Sequence, residues 1–291
     1  MAHDQPKVLS LLVRFLKQDE RNDVLVHIDK KVKGEKYAEL ESAVIPYGGK
    51  ICPIRKNVYW GDFSQIEAEM TLFETAIEGG YDYYHLLSGS DLPLKPVKVI
   101  DDFFEDHPNL LFFRCLPDIP VHQQRIEFCT NYYHFMRMRS IPFWGKLWSM
   151  CHIDKIIYLF EKCIGINRMR KDDFQMYKGD QWGSLPHNAV EYLLSKKKFI
   201  RQRFRNTCCP DEIYKQTILM NSPFRTSFYK PELINQNASL RLIDWERGGP
   251  YVWRINDLDQ LLSSNCFFAR KFSMMVDEKI IDAILDYVMR I

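Results

Sequence analysis

The chain has 291 residues, 46% of them hydrophobic, which is enough apolar side chain to build a core and excludes a disordered chain. The net charge is only +2, so the overall charge indicates no particular class of partner. The eight cysteines form no CxxC spacing, and neither a signal peptide nor an apolar run of transmembrane length is evident. We therefore expect reduced thiols and a cytoplasmic location.

The first part of the chain alternates between predicted helices and strands. Apolar spacing predicts the helices, and a Ser-x-x-Glu capping box at Ser64 begins the second of them. The helices are expected at Gln5–Leu16, from Ser64 to Gly79, and from Pro96 to Phe104, and the strands at Asp23–Ile28, Tyr83–Leu87 and Leu110–Arg114. This alternation is typical of an α/β protein, in which ligands bind outside the carboxyl ends of the strands. Asp29 and the Ser88–Asp91 turn follow two of these strands.

Two later segments are rich in lysine and arginine. Phe135–Lys171 has eight basic residues against two acidic ones, with Phe143, Trp144 and Trp148 between them. A second basic run covers Lys196–Arg205. Both segments are compatible with solvated helix faces or with a surface for anionic partners. The second interpretation predicts peripheral contact of Phe135–Lys171 with the inner face of an anionic membrane, anchored by the tryptophans.

The sequence Pro210-Asp211-Glu212 precedes an apolar run that predicts a helix over Ile213–Met220. Carboxylates are common in a first helical turn, because they cap unpaired N–H groups and complement the helix dipole. The same position also holds Glu212 at a fixed point of the fold. The pattern alone therefore leaves capping and catalysis open.

Six segments occur in an order and spacing that carry more weight than any one of them alone. They are Val26–Lys31 (VHIDKK), Trp60–Ser64 (WGDFS), Leu86–Leu94 (LLSGSDLPL), Gly179–Leu185 (GDQWGSL), Pro210–Glu212 (PDE) and Phe268–Phe272 (FARKF). With these segments the chain resembles, over nearly its whole length, the core-2/I-branching glycosyltransferase family, which also includes the peptide O-xylosyltransferases.

The resemblance implies one glycosyltransferase domain over residues 1–291. Its fold would be of the GT-A type, a Rossmann-like nucleotide-sugar fold with a mixed central sheet flanked by helices. Within it we expect a nucleotide-binding half at 1–115, a basic acceptor-side insertion at 116–178, and a catalytic and diphosphate-binding half at 179–291.

The resemblance also implies the reaction. Family members are inverting transferases, and the branching enzymes use UDP-GlcNAc without a metal ion or another cofactor. Glu212 matches the catalytic base, and Lys271 matches a lysine that holds the donor diphosphate. Asp29 matches an aspartate near the uracil, and Trp60 falls where an aromatic residue packs on that ring. The expected function is transfer of a sugar, with GlcNAc as first choice, from a UDP-sugar to a hydroxyl of a glycan or glycolipid.

The remaining site residues are matched less directly. The second diphosphate-binding arginine of the family has no match at the expected spacing, so Arg247 is the first choice and Arg254 the reserve. Asp91 is expected to orient the donor sugar or its loop. Trp182 and Asp211 are candidates for contact with the acceptor, although Trp182 suits a core position equally well.

Inversion at an anomeric carbon requires a base for the acceptor hydroxyl and positive charge for the departing diphosphate. Glu212 can supply the first, and Lys271 with an arginine can supply the second without a metal ion. The one strict Asp-x-Asp sequence, Asp257-Leu258-Asp259, lies at a predicted helix start. Early carboxylates suit that end of a helix, so we interpret the pair as capping rather than as a metal site.

Two alternatives stay open. One, in the same class, is transfer of xylose to a protein or to another hydroxyl. The other is a non-enzymatic protein whose basic surface binds nucleic acid or anionic lipid. It accounts for the basic segments but not for the six ordered motifs, and we expect no nucleic-acid partner.

The start of the chain lacks an apolar run that the resemblance places before the first helix. Met1 and Ala2 alone could be the last residues of such a run. We therefore expect a truncated first strand. The chain would then be less stable than one with about six more apolar residues upstream, because the strand over Val24–Ile28 would lose a neighbour.

Overall fold

The computed structural model describes residues 1–116, 118–141, 143–170, 174–229 and 238–289. Helices and short strands alternate in them, as predicted, so the chain is a mixed α/β protein. The α-helices are α1 (Pro6–Leu16), α2 (Gly34–Ser42), α3 (Ser64–Ala76), α4 (Val97–Glu105), α5 (Pro120–Asn131), α6 (Trp144–Met150), α7 (Ile153–Cys163), α8 (His187–Ser195), α9 (Lys197–Phe204), α10 (Tyr214–Met220), α11 (Leu258–Leu262) and α12 (Glu278–Val288). The strands are β1 (Leu25–Val26), β2 (Lys50–Ile51), β3 (Tyr83–Leu86), β4 (Asp91–Pro93), β5 (Gly183–Pro186), β6 (Arg241–Ile243) and β7 (Phe268–Arg270).

The described strands form three small sheets. β1 and β2 pair in parallel, and β3 and β5 pair antiparallel. In the third sheet β7 lies between β4 and β6, antiparallel to the first and parallel to the second. Both strand directions occur, as expected, but the expectation of one mixed central sheet needs correction, because these strands are not joined into a single ladder.

A groove between β1 and β3 separates the first two sheets. It encloses about 700 Å³ and is lined by the edges of both strands and by apolar side chains of α1 and α3. At its end, Ala2 pairs in parallel with Ile28, and the amino group of Met1 donates to the carbonyl oxygen of Leu87 (2.8 Å). Met1 and Ala2 therefore occupy the place that the sequence analysis assigned to the end of a first strand.

The helices begin close to their predicted positions, but the capping box at Ser64 is wrong. The backbone N–H of Ser64 donates to Asp62 Oδ1 (2.9 Å), and its hydroxyl accepts from the N–H of Tyr59 (2.9 Å). The Glu67 side chain does not accept a hydrogen bond from the backbone at the start of α3, and it pairs instead with Arg201 of α9 (2.6 Å). The start of α3 is thus tied to the loop before it through Asp62.

The third predicted strand, Leu110–Arg114, is present only as isolated bridges. Leu111 pairs in parallel with Phe228, and Phe112 pairs antiparallel with Ser184 of β5. The segment is extended and its apolar side chains are buried, but its pairing changes partner from one residue to the next.

Three large apolar clusters hold the elements together. α1 belongs to two of them, with Val8 and Phe15 packed toward β4, β7 and α12, and Leu9 and Val13 packed toward β1 and α2. The third and largest cluster joins α3 to α8, α9 and α10. Burial of this much apolar surface is the main stabilising contribution, and it fixes the strand ends that carry the predicted motifs.

The region expected as a basic insertion contains α5, α6 and α7. Lys171, the last residue of the basic stretch, lies outside the described residues. None of the helices that the structure describes is long and apolar enough to cross a membrane.

Candidate active site

Loops that follow different strands meet on one side of the fold. The N–H groups of Asp29, after β1, and Gly89, after β3, donate to the carbonyl oxygens of Ala2 and Met1 (3.0 and 2.9 Å). The N–H of Phe272, after β7, donates to the turn after β3, at the carbonyl oxygen of residue 90 (2.9 Å). Three of the six motifs are therefore joined by backbone hydrogen bonds.

Glu212 lies in a 3₁₀ turn, Pro210–Glu212, and α10 begins only at Tyr214, one residue later than predicted. Cys209 precedes the turn in a left-handed conformation (φ 47°), and its N–H donates to the carbonyl oxygen of Gly61 (3.0 Å). Gly61 has a φ of 67°, in the region that favours glycine. The Glu212 turn thus rests on the Trp60–Ser64 loop.

Lys178 holds the carboxylate of Glu212. The lysine side chain is 4% exposed and donates to Glu212 Oε2, while the Glu212 side chain is 33% exposed. Burial alone would lower the pKa of Lys178, but the Glu212 carboxylate raises that pKa above its ordinary value, so the lysine stays charged. The N–H of Gly179 donates to the carbonyl oxygen of Glu212 (2.8 Å), and a Cβ at this glycine would lie 1.7 Å from the carbonyl oxygen of Arg114. The close approach requires glycine at position 179.

Asp211 points inward, unlike Glu212. It is 4% exposed, its Oδ2 accepts from Gln65 Nε2 (3.1 Å), and its Oδ1 has no hydrogen-bond partner in the described part of the chain. Burial, and then the charge of Glu212, raises the pKa of Asp211 to about 7. The predicted contact of Asp211 with an acceptor does not fit this burial. Its hydrogen bond to Gln65 of α3 fits a role in holding the Pro210–Glu212 turn against that helix instead.

A buried ion pair lies behind Asp211 and was not predicted from the sequence. Glu69 of α3 is fully buried, and its Oε1 accepts from Lys215 Nζ and from the Tyr214 hydroxyl, each at 2.6 Å. Burial, followed by the charge of Glu69, raises the pKa of Tyr214 well above its ordinary value. One signal was available, since Glu69 falls on the same helical stripe as the buried residues Ile66 and Phe73.

Asp29 and Trp60 belong to one connected segment. Asp29 is 8% exposed, and its Oδ1 accepts from the N–H groups of Lys31 (2.9 Å) and Val58 (3.4 Å). Two residues after Val58, Trp60 is 73% exposed, and the ammonium of Lys31 lies 4.4 Å from the ring centroid of Tyr59. The structure thus holds the Asp29 carboxylate, after β1, against the loop that carries the exposed ring of Trp60. Such a pair can accept a hydrogen bond and stack on a planar ring.

Asp91 and Trp182 meet through Arg270, which sequence reasoning missed. Asp91 is 1% exposed; its Oδ2 accepts from the N–H of Ser88 (2.8 Å) and its Oδ1 from Arg270 Nη1 (2.9 Å). The Arg270 guanidinium lies 4.6 Å from the ring centroid of the half-buried Trp182. Of the two expected roles for Asp91, orientation of the loop fits these contacts.

Lys271 and Arg254 lie on paired backbone segments. The N–H of Lys271 donates to the carbonyl oxygen of Tyr251 (3.3 Å), and the N–H of Trp253 donates to the carbonyl oxygen of Lys271 (3.1 Å). Arg254 follows Trp253 directly and is exposed. Neither the ammonium of Lys271 nor the guanidinium of Arg254 has an ion-pair partner within the described ranges. Both cations are therefore available to an anion.

Arg247 is engaged in a network of its own. Its Nη1 donates to Asp257 Oδ1 (2.7 Å), its Nε donates to Asp244 Oδ2 (2.5 Å), and its guanidinium lies 4.1 Å from the ring centroid of Tyr251. Asp257 also accepts from the N–H of Arg254 (3.0 Å), which fits the predicted helix capping. Among the residues with described positions there is no cluster of three or more His, Cys, Asp or Glu that could hold a metal ion.

The two basic segments differ in their surroundings. In the second run, Lys197 and Arg201 pair with Glu74 and Glu67 of α3, which favours the interpretation as a solvated helix face. The first stretch begins at the candidate site, because the guanidinium of Arg137 lies 5.1 Å from the ring centroid of Tyr59.

A mixed α/β domain of helices and small mixed sheets is consistent with a GT-A-like glycosyltransferase. Residues 1–260 match the sequence profile of the Core-2/I-Branching enzyme family. The match covers most of the chain, and the chain belongs to this family. Membership of an enzyme family favours the enzymatic interpretation over a non-enzymatic basic surface.

Two curated relatives are similar at a lower level. Over 281 residues the chain is 22% identical to "Xylosyltransferase sqv-6" of Caenorhabditis briggsae, with 89% of this chain and 32% of that protein covered. Over 149 residues it is 25% identical to "Xylosyltransferase sqv-6" of Caenorhabditis elegans, with 43% and 18% covered. The chain thus spans about a third, or less, of the length of these relatives.

Proposed function

We propose that this domain transfers a sugar from a UDP-sugar to a hydroxyl group with inversion, and that Glu212 is the general base. The observation that carries the proposal is the contrast between Glu212 and its neighbour. Glu212 is partly exposed in a turn that rests on the Trp60–Ser64 loop and is held by a buried lysine, whereas Asp211 is buried. A base must reach the proton that it removes, and Glu212 is the carboxylate of the pair that can do so.

In the proposed step the acceptor oxygen forms a bond to the anomeric carbon while its proton passes to the Glu212 carboxylate. The bond between the anomeric carbon and the diphosphate oxygen breaks, and its electron pair leaves with UDP. Lys178 acts here as a positioning residue. Its ammonium fixes the carboxylate before the reaction, which lowers the cost of orientation in the transition state.

The departing diphosphate needs cationic partners, and we assign these roles to Lys271 and Arg254. The first choice from sequence, Arg247, is bound to two carboxylates and cannot serve a phosphate without breaking those pairs. Preorganised cations aimed at developing negative charge can replace a metal ion in this role. Asp29 and Trp60 are proposed to bind the uracil by a hydrogen bond and by stacking.

GlcNAc is the proposed donor sugar, and a glycan or glycolipid the proposed acceptor, on the basis of the branching-enzyme family. Xylose is the second candidate, because both curated relatives are xylosyltransferases by name. Transfer of xylose would then go to a hydroxyl of a protein or another acceptor.

Release of UDP from UDP-GlcNAc and from UDP-xylose, each with and without EDTA, tests these assignments. We expect turnover of UDP-GlcNAc that survives chelation. Faster turnover of UDP-xylose would replace the donor assignment with the second candidate. Loss of activity on chelation, with recovery in Mn²⁺, would overturn the metal-free mechanism. The absence of UDP binding by calorimetry, together with the absence of turnover, would refute the proposed function.

A further inference from the structure

The helix α7 faces its apolar side chains outward. The residues on its outer stripe are Ile156, Leu159 and Phe160, followed by Ile164 directly after the helix, and all four are 52–62% exposed. On the inner side Glu161 is buried, and its Oε2 accepts from the N–H of Tyr133 (3.0 Å). Helices of globular proteins normally turn such a stripe toward the core. An exposed apolar stripe of this kind is typical of a surface that contacts a partner or a membrane.

The neighbouring helix α6 carries a second exposed stripe and packs against α7. Its members are Trp144, Leu147 and Met150, and Phe143 directly precedes the helix; Phe143 and Met150 are 78% and 68% exposed. We call the two stripes together the apolar face of α6–α7. Large exposed aromatic and aliphatic side chains in one place mark an interaction surface rather than ordinary scatter.

The charges around this face are positive. Lys146, Lys155 and Lys162 are exposed and have no ion-pair partner within the part of the chain that the structure describes. The acidic residues of the same stretch are already used, since Asp154 accepts from Arg139 Nε (2.8 Å) and Glu161 is buried. No exposed carboxylate of this stretch is left to offset the lysines.

We propose that the apolar face of α6–α7 binds the surface of an anionic lipid bilayer. The aromatic and aliphatic side chains would enter the boundary between headgroups and acyl chains, and the lysines would contact the lipid phosphates. A second copy of the chain fits this face less well, because a contact between two identical faces would bring the lysines together.

The basic stretch also adjoins the candidate active site. A Cβ added at Gly61 would lie 3.0 Å from the terminal methyl of Met136, so the residues before α6 pack directly on the loop that carries Trp60. Membrane contact would then favour acceptors linked to lipid. That choice of acceptor rests on the proposed function, whereas binding to the bilayer does not.

Sedimentation with vesicles tests the proposal on the full chain. One set of vesicles contains phosphatidylcholine alone, and the other contains phosphatidylcholine with phosphatidylglycerol. We expect binding to the anionic vesicles that weakens as salt is raised. The variant Trp144→Ser/Phe160→Ser should bind at least about a hundredfold more weakly. Replacement of Lys155 and Lys162 by Gln should weaken binding by about fivefold for each lysine.

The control variant is Met275→Ser, because Met275 is 92% exposed but lies outside this face. It should bind the vesicles as the original chain does, and circular dichroism should show that all variants are folded. Equal binding to both vesicle types, or binding to neither, would overturn the proposal. Self-association of the chain that Trp144→Ser/Phe160→Ser abolishes, without vesicle binding, would assign the face to a second copy instead.

Discussion

A short apolar segment added directly before Met1 is expected to stabilise the protein by filling the groove between β1 and β3. On the β1 edge of the groove, the outward backbone groups have no backbone partner among the described residues. The N–H groups of Lys50 and Cys52 donate to the carbonyl oxygens of Val24 and Val26, so these two residues face β2. Because backbone groups alternate in direction along a strand, those of Leu25 point into the groove.

The β3 edge is arranged in the same way. The N–H of His187 donates to the carbonyl oxygen of Asp82 (3.0 Å), which turns Tyr84 toward β5 and leaves the backbone of His85 facing the groove. Met1 already bonds to this edge and Ala2 to the β1 edge. A segment of four residues, as long as β3, would continue both ladders in the same parallel register.

The gain can be estimated for each added residue. Two backbone hydrogen bonds, at about 1 kcal/mol each, roughly offset the loss of backbone entropy, about 1–2 kcal/mol. Burying a Val, Leu or Ile side chain contributes about 1.5–3 kcal/mol, less about 0.5–1 kcal/mol of rotamer entropy. A net gain of about 1 kcal/mol per residue gives about 4 kcal/mol for the segment. At about 2 °C per kcal/mol, the melting temperature should rise by about 8 °C.

The assay compares three chains by thermal unfolding: the 291-residue protein, an extension of Val and Ile, and a control extension of equal length made of Ser and Gly. Hydrogen exchange adds a local measure, because the amide of Leu87 should be protected only by the apolar extension. Equal melting temperatures for the two extensions would refute the reasoning, since the control adds the same chain length without a strand.

The amino group of Met1 adds a pH dependence to the same comparison. Burial lowers its pKa from the ordinary value of 8.0 to about 6. Between pH 6 and 8 the unfolded chain therefore binds more protons at this group than the folded chain, so its contribution to stability rises with pH across that window. The extension converts the amine into a peptide N–H. The extended chain should therefore exceed the 291-residue chain in free energy of unfolding by about 2 kcal/mol more at pH 6 than above pH 8. If the difference in free energy of unfolding between the two chains does not change with pH, the amine is not buried in solution.

Four further substitutions and one control substitution test the site. Glu212→Gln should keep UDP affinity and lower the rate of transfer by about 10²–10⁴-fold, because it removes the base and little else. Transfer close to the original rate would show that Glu212 is not the general base. Lys178→Met should lower kcat more than it changes KM for the donor, since it frees the carboxylate without touching the nucleotide; a change in KM alone would contradict the positioning role. Lys271→Ala and Arg254→Ala should each weaken UDP binding by about 1.5–3 kcal/mol in calorimetry. Arg247→Ala is their matched control, and weaker UDP binding in that variant would restore it as the diphosphate ligand.

Much of the local structure could be predicted from sequence. Apolar spacing predicted α1, and Pro96 predicted the start of α4, each to within a residue, because these signals act locally. The family was also predictable, since six ordered motifs outweigh the ambiguity of each. One of these motifs contains Gly179, where only a residue without a Cβ fits.

The division of the strands into three sheets could not be predicted, because it depends on pairing between distant segments. β3 pairs with β5 across about a hundred residues, and no local pattern encodes that register. The sequence could not decide between Arg247 and Arg254 for a similar reason. The sequence places both near Lys271, but only the fold brings Asp244 and Asp257 to Arg247 and leaves Arg254 exposed.

The charges behind Glu212 show how burial changes the role of a residue. In the sequence, Asp211 and Glu212 are equivalent members of a helix start, and Lys215 is an ordinary helical lysine. In the fold, Lys215 forms an ion pair with Glu69, and Asp211 is buried. Glu212 forms its ion pair with Lys178, which comes from a different segment of the chain. Buried ion pairs of this kind add little net stability, because desolvation opposes their attraction. Such pairs can instead fix the geometry of a site. Here the buried Lys178 sets the orientation of the Glu212 carboxylate, which stays partly exposed to solvent.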